Sequence, residues 1–412
     1  MKAPTIALFG HFGSGNVGND STLEAALANL QERLPTAKFV CICNGPSWVE
    51  QRFRIPALPA DRLRSRVESR WLSRARRYFG RSYTVLSELA FWIWRPIWFT
   101  RIDMFVVVGT GAVDDMAVSR PWHAPYDLYK WCRCAKTGGA EVVFLSVGVG
   151  PIVDRRSQYF MLKALRLADR RSYRETAAVD YLNGVGFDTS EDALYPDLVF
   201  SLRKPELQVL KARRMSTPTV GLGLISYFGW KHDAVEGAPV FEAYISKIKQ
   251  FARWVLEEGF ALRLIVGDWI DQRSVIELTG YIEATLPAEA RSRLISEPIH
   301  DVDDLFTQLS QTDVVVASRF HNVLCAMMVE RPVISIGYHD KNLLLMEGMG
   351  LGQYCHHIEK FTDEWLVDRF RRCWGAREEI RARISGQLDE RRRLLDMQYD
   401  DLVERLASRT PA

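Results

Sequence analysis

4-PTIALFGHFGSGNVGNDSTLEAAL-27 opens the chain with a short apolar run, a glycine-rich turn and a helix-patterned segment. A strand, a tight turn and a helix in that order are the first half of a β-α-β unit, so this stretch points to a parallel sheet covered by helices. Gly13, Gly15 and Gly18 spell G-x-G-x-x-G, the dinucleotide fingerprint. Ser21 with Glu24 reads as an S-x-x-E capping box, which predicts a helix start after the glycines. A nicotinamide site also needs an acid at the end of the second strand, to hold the ribose hydroxyls. Here that strand ends 41-CICNGP-46, with neither Asp nor Glu. The turn is therefore expected to hold something other than a dinucleotide, through Gly13, Asn16 and Asp20. A purely structural turn is the alternative.

Working outward, β-branched runs recur at 38-KFVCICN-44, 102-IDMFVVVG-109 and 141-EVVFLSVGVG-150, with helical patterns such as 127–136 among them. Shorter segments at 170-RRSYRE-175 and 195-YPDLVFSL-202 close this half, and the polar, basic stretch 203–218 reads as a linker. The alternation restarts at 219-TVGLGLIS-226, 260-FALRLIVGD-268, 293-RLISEPI-299, 312-TDVVVAS-318 and 332-PVISIGY-338, and 364–407 reads as helix throughout. The expected architecture is α/β, with two Rossmann-like domains facing across a cleft, 1–202 and 219–375, and a C-terminal helical tail, 376–412.

Composition sets bounds. The chain has 412 residues, 47% apolar and 25% charged, with a formal net charge of +3, values of an ordinary globular protein. No cleavable leader is legible at the start, and the seven cysteines form no C-x-x-C pair, so a cytoplasmic protein with thiols and no metal is expected. Arginines concentrate at 62, 64, 66, 70, 74, 76, 77 and 81. They carry no reading motif for bases, so nucleic acid is not an expected partner. The most apolar stretch, 83-YTVLSELAFWIWRPIWF-99, is broken by Glu88, Arg95 and Pro96 and is too short to span a bilayer. It reads as a buried helix leading into the strand at 102–109. The alternative is a basic face beside Trp92, Trp94 and Trp98 that rests on the anionic inner leaflet.

In open α/β sheets ligands bind beyond the carboxyl ends of strands, which selects the loops that can carry chemistry. The loop 109-GTGAVDD-115 offers close backbone approach at Gly109 and Gly111, and Asp114 or Asp115 as a base for sugar hydroxyls or as a helix cap. Arg174 ends another strand-like segment. The strongest signal is 317-ASRFHNVLCAMM-328, where Arg319 and His321 stand at a helix start. A guanidinium fork beside a helix N-terminus is an anion trap, and His321 is then the candidate proton donor. The next strand's loop, 337-GYHDKN-342, adds His339 and Lys341.

These pieces, taken in order, resemble the polysaccharide pyruvyltransferases over most of the chain. The match runs through the opening turn to Asp20, 109-GTGAVDD-115, 146-SVGVGP-151 and 168-ADRRSYRETAAVDYL-182, then 195-YPDLVFSL-202, 318-SRFHN-322 and 332-PVISIGYHDK-341. The sequence departs from the family pattern where G-T-G replaces a triple glycine and where Glu175 stands in place of Asp. The resemblance implies a glycosyltransferase-B-like fold and transfer of the pyruvyl group of phosphoenolpyruvate onto a sugar as a ketal, with no cofactor beyond that donor. It implies that Arg319 and His321 meet phosphoenolpyruvate and that Arg174 matches a family arginine. The acceptor would be a saccharide, a lipid-linked one included, which would bring the protein to the inner face of the membrane. The competing reading is a nucleotide-sugar-dependent glycosyltransferase of the same fold. Its ribose-binding acid would have to be Glu330, which is poorly placed for that role.

Overall fold

The structure is a computed structural model that describes residues 3–60, 86–111, 113, 122–203, 217–229 and 234–409. Two parallel sheets organise it. The first has the order β3-β2-β1-β4-β5-β6-β7, built from β1 (Thr5–Phe9), β2 (Lys38–Cys43), β3 (Ala57–Pro59), β4 (Met104–Val108), β5 (Glu141–Val147), β6 (Arg170–Tyr173) and β7 (Ala193–Leu194). The second has the order β10-β9-β8-β11-β12-β13, from β8 (Thr219–Gly223), β9 (Ala261–Ile265), β10 (Leu294–Ser296), β11 (Val314–Ala317), β12 (Val333–Gly337) and β13 (Cys355–His357). Central strands such as MFVVV of β4 and VVVA of β11 are buried at every position. That is the signature of a parallel sheet covered by helices on both faces.

The strand order reverses between β1 and β4 in the first sheet and between β8 and β11 in the second. Each switch point leaves a crevice beyond the strand ends of its own sheet, bordered by the loops after β1 and β4 in the first and by those after β8 and β11 in the second. The glycine turn and Arg319–His321 therefore stand where each sheet can hold a ligand.

The chain forms two compact units. One comprises 1–14, 22–198 and 394–412; the other comprises 15–21 and 199–393. In the first, the core gathers Phe9, Phe99, Phe105, Trp131 and Phe144 around the sheet. The Trp131 indole N–H donates to the Ala60 carbonyl at 3.0 Å, so the largest core side chain has its polar edge satisfied. The helix Arg377–Arg409 contributes Gln398 to this unit, where it receives the Ser146 hydroxyl at 3.0 Å and donates to the Ser172 hydroxyl at 2.7 Å.

Several elements differ from the sequence expectation. The capping box at Ser21 does not form: the helix begins at Val17, and the Asn16 Oδ1 caps it by accepting the Asn19 N–H at 3.1 Å. Ser21 lies one turn in, where its hydroxyl bonds back to the Val17 carbonyl at 2.5 Å. A hydroxyl inside a helix satisfies itself in this way and leaves no cap to donate. The tail is two helices, Asp363–Gly375 and Arg377–Arg409, separated at Ala376. The 195–202 stretch holds a 3-10 turn, Leu198–Ser201, after the two-residue strand β7. The helix Pro46–Phe53 and the edge strands β3 and β13 lie outside every pattern in the sequence. They are too short to show a period.

Residues 86–99 are helical. Burial is one-sided: Phe91 and Phe99 join the core, Trp92 and Trp98 pack against it, and Trp94 is exposed. The arginine cluster at 62–81 and the acids Asp114 and Asp115 lie outside the described residues.

Gly13 has φ of +70°, and a Cβ on it would stand 2.5 Å from the Gly45 carbonyl oxygen. The reverse contact is tighter, since a Cβ on Gly45 would lie 2.0 Å from the Gly13 oxygen. Two backbones thus cross where any side chain would push them apart. Gly45→Ala should lower the stability of the protein by about 3 kcal/mol, read as a fall in the urea midpoint. An unchanged midpoint would show that the crossing can open at no cost.

Candidate functional site

The second unit assembles its charged centre from three strand ends. Arg319 precedes the helix Phe320–Met328, directly after β11, in extended conformation (φ −74°, ψ 133°). Its Nε donates to Asp271 Oδ2 at 2.6 Å and its Nη2 to Asp271 Oδ1 at 2.9 Å, a two-pronged bond. Its Nη1 lies 3.3 Å from Asp268 Oδ2. Asp271 is fully buried and also accepts the Ser226 backbone N–H at 2.8 Å. The loops after β8, β9 and β11 are therefore tied through one carboxylate. Burial alone would lower the arginine's pKa; the bonds to Asp271 and the charges around it hold it above the ordinary arginine value.

Asp268 has a second partner, Asn16, whose side-chain amide donates to its Oδ2 at 2.9 Å. The Val17 N–H donates to the Gly267 carbonyl at 3.1 Å. Residues 15–21 thereby belong to the same unit as Arg319. Burial pushes the Asp268 carboxyl above its ordinary value, the neighbouring Asp271 adds to this, and Arg319, the Ile270 N–H and Asn16 work against it. One guanidinium serves two carboxylates, and Asp268 has the longer contact with it.

His321 occupies the first turn of Phe320–Met328, and no side chain caps that helix. Its ring lies on the first turn of the opposite helix: a Cβ at Gly18 would fall 2.2 Å from its Nδ1. The Phe320 ring stands edge-on to it, centroids 5.3 Å apart. The third glycine of G-x-G-x-x-G is thus filled by an imidazole. The second, Gly15 (φ +85°), faces Trp269, whose Cδ1 would be 2.9 Å from a Cβ there. Asp20 is buried in the same helical turn, its N–H donating to the Asn16 carbonyl at 3.1 Å.

His339 caps the helix Asp340–Gly348 by accepting the Lys341 N–H on Nδ1 at 3.1 Å, which leaves Nε2 to carry the proton in the neutral ring. The Lys341 ammonium rests 5.8 Å from the Phe320 centroid and 5.7 Å from that of Tyr338. Among the described residues no carboxylate pairs with it. The structure thus brings Arg319, His321, Asn16, Asp20, His339 and Lys341 into one unit.

Arg174 belongs to the other unit, where it donates to Asp197 Oδ2 at 2.7 Å and lies 3.9 Å from Glu175. Its guanidinium covers Gly148, where a Cβ would meet Nη2 at 2.8 Å. Gly109 is similarly close-packed, 2.5 Å from the Ser146 carbonyl by the same measure, and Gly111 follows it half-buried. Glu330 sits after the helix Phe320–Met328, at the entry side of β12, with Ser385 bonded to it at 3.3 Å. That is the end of the sheet away from the strand termini that carry Arg319.

The sequence reading passed over Asp268, Asp271 and Asp197. The signal was present, because Asp268 closes the segment 260-FALRLIVGD-268 and the strand-end rule that selected Arg319 applies to it equally.

A polysaccharide pyruvyl transferase sequence profile matches residues 16–340, which run from the Asn16 cap to the N-terminus of Asp340–Gly348. The chain belongs to that family. No curated protein sequence matches it. Among solved structures, a glycosyltransferase from Rickettsia africae is similar with a TM-score of 0.56 at 13% identity, covering 100% of both chains. HepE of Anabaena, solved with UDP and glucose, gives 0.58 at 12% identity over 98% of this chain and 100% of its own. A UDP-GlcNAc 2-epimerase from Methanocaldococcus jannaschii gives 0.57 at 10% identity over 90% and 92%. At such identities the likeness fixes the fold, which is glycosyltransferase-B-like.

Removing Asp271 leaves a buried guanidinium with its main partner gone, so Asp271→Ala should cost about 3–5 kcal/mol of stability. A loss below about 1 kcal/mol in chemical denaturation would contradict the tie. The raised Asp268 carboxyl predicts a pH effect of definite sign. The folded state holds that proton more tightly than the unfolded chain, so its contribution is full below the unfolded value near 3.8 and is lost as pH rises through the folded one. Asp268→Asn should flatten that fall, and an unchanged slope between the two proteins would remove Asp268 as its source.

Proposed function

We propose that the protein transfers the pyruvyl group of phosphoenolpyruvate to two hydroxyls of a saccharide, forming a ketal and releasing phosphate. The observation that carries this reading is that His321 and Lys341 both lie beside the Phe320 ring. A proton donor candidate stands in an uncapped helix start, and an ammonium with no carboxylate partner among the described residues lies over the ring of the residue before it. Family membership supplies the reaction class.

Two carboxylates hold Arg319, so its role is to fix the helix start and offer its remaining N–H bonds. Lys341 then takes the donor's anionic groups, and the start of Phe320–Met328 adds partial positive charge there. Arg174 is expected to contribute from its place beside Asp197.

In the chemistry, protonated His321 delivers its proton to the methylene carbon of the donor, and the adjacent carbon becomes an oxocarbenium-like centre. A sugar hydroxyl adds to that carbon, the carbon–oxygen bond to phosphate breaks, and a second hydroxyl closes the ketal. Two hydroxyl protons are released: one balances the new methyl group and one leaves on phosphate. Asp114 or Asp115 is the base proposed for the acceptor, with Gly109 and Gly111 giving it access to the backbone. Neither a metal nor a further cofactor enters this scheme, and the scheme is the same for a free and for a lipid-linked acceptor.

The test is thermal shift of the purified protein with phosphoenolpyruvate, UDP-glucose and NAD in parallel, followed by acceptor-dependent phosphate release. Phosphoenolpyruvate alone should stabilise the protein, and Lys341→Ala should weaken that effect about tenfold in concentration. His321→Gln should keep the shift and lose turnover by about 100-fold or more. Near-normal turnover in that variant would end the proton-donor role. Stabilisation by UDP-glucose in place of phosphoenolpyruvate would assign the protein to sugar transfer.

A further inference from the structure

The helical residues 86–99 carry their polarity inside out. Every exposed residue among 86–99 is large and apolar: Leu86, Leu89, Ile93, Trp94 and Ile97, each between 55% and 66% exposed. The spacing of three, four and four residues lines up Leu86, Leu89, Ile93 and Ile97, with Trp94 alongside. The charged residues turn toward the protein. Glu88 accepts the Tyr126 hydroxyl at 2.7 Å and lies 3.5 Å from the Lys130 ammonium. Arg95 sits over the rings of Phe91, Trp98 and Trp131, 5.2 Å from the last. A helix on a water-facing surface has the opposite arrangement.

The stripe has neighbours of a particular kind. The Trp92 indole N–H donates to the Tyr126 hydroxyl at 3.4 Å, and Tyr126 packs on Phe160 at 5.2 Å and on Trp122 at 5.7 Å. Trp122 and Tyr159 are themselves 60% and 57% exposed. Tyr159 opens onto the outer face of the helix Arg155–Leu167, where Arg155, Arg156, Lys163 and Arg166 are exposed and no acidic residue occurs. Lys163 rests 5.6 Å from the Tyr159 ring. In sequence, the stripe directly follows the arginines at 62–81.

We propose that this face of the first unit docks on an anionic lipid bilayer. The stripe enters the acyl boundary, Trp94, Trp122 and Tyr159 lie at headgroup depth, and the basic helix face meets lipid phosphates. No described helix is long and apolar enough to cross a membrane, so the contact is peripheral. Charge selects lipid over a second copy of the chain. A two-fold contact places the same patch on both sides, and a flank with Arg155, Arg156, Lys163 and Arg166 exposed against Asp154 and Asp169 at its ends is net basic and would repel itself there.

The experiment is sedimentation of the full chain with vesicles of phosphatidylcholine alone or with about 30% phosphatidylglycerol, at low salt and at about 0.5 M salt. Two paired variants, Ile93→Asp/Ile97→Asp and Lys163→Glu/Arg166→Glu, change exposed side chains only, and an unchanged melting temperature verifies their fold. The expected result is at least about tenfold preference for the anionic vesicles, lost at high salt, and about tenfold weaker binding by each variant. Absence of anionic binding at low salt overturns the proposal. So does wild-type binding by Ile93→Asp/Ile97→Asp, which would assign attachment to the arginines at 62–81 alone. A dimer in solution that this variant dissolves would make the stripe a contact between copies. Phosphoenolpyruvate plays no part in the readout, so this surface stands or falls separately from the proposed reaction.

Discussion

The candidate site depends on one buried guanidinium held between two carboxylates. Arg319 cannot lose its proton, and its burial would be prohibitive without Asp271 bonded along its edge. Because Asp271 also takes the Ser226 N–H, the positions of three strand-end loops are fixed by one set of bonds. Asp268 extends the set to Asn16, which is the cap of the helix Val17–Arg33. The start of that helix and the start of Phe320–Met328 are therefore held by the same charges. His321 stands where it does because both ends of this chain of bonds are fixed.

This changes the meaning of the glycine motif. In a dinucleotide site the glycines make room for a pyrophosphate. Here each gap is filled by the protein: Gly13 by the Gly45 backbone, Gly15 by Trp269 and Gly18 by His321. The requirement for glycine is the same in both cases, namely a backbone approached more closely than a Cβ permits. A pattern match cannot distinguish an approaching phosphate from an approaching imidazole. An acid after β2 is a separate criterion, because it concerns what a ligand would need beyond space.

The same distinction explains what was legible in the sequence. Strands such as β4 and β11, buried at every position, announce themselves by composition, and their alternation with helices gave both sheets. The strand-end rule then found Arg319, His321, His339 and Lys341, which the structure gathers in one unit. The same rule also selects Asp268, at the end of 260-FALRLIVGD-268. Asp271 and Asp197 were hidden for a different reason: they are ion-pair partners, and partnership is a property of loops distant in sequence. Asp271 lies 48 positions from Arg319, and Asp197 lies 23 from Arg174. The helix start was misread because S-x-x-E has two physical solutions, a cap or a hydroxyl bonded back within the helix. Asn16 outcompeted Ser21 because Asp268 already held its amide in place.

A division of labour among the cations follows. With Arg319 and Arg174 each bonded to buried carboxylates, their charges are largely balanced within the fold. Lys341 differs, since aromatic faces lie beside its ammonium and no carboxylate among the described residues pairs with it. A cation supported by rings keeps its charge available to an incoming anion, whereas one locked to a carboxylate mainly fixes geometry. The sequence motif weights Arg319 and Lys341 alike as anion binders, but their surroundings differ, and the proposed reaction uses Arg319 to fix geometry and Lys341 to meet the donor. An anionic donor arriving at the helix start would complete the charge pattern there, next to the one histidine that the packing at Gly18 holds in register.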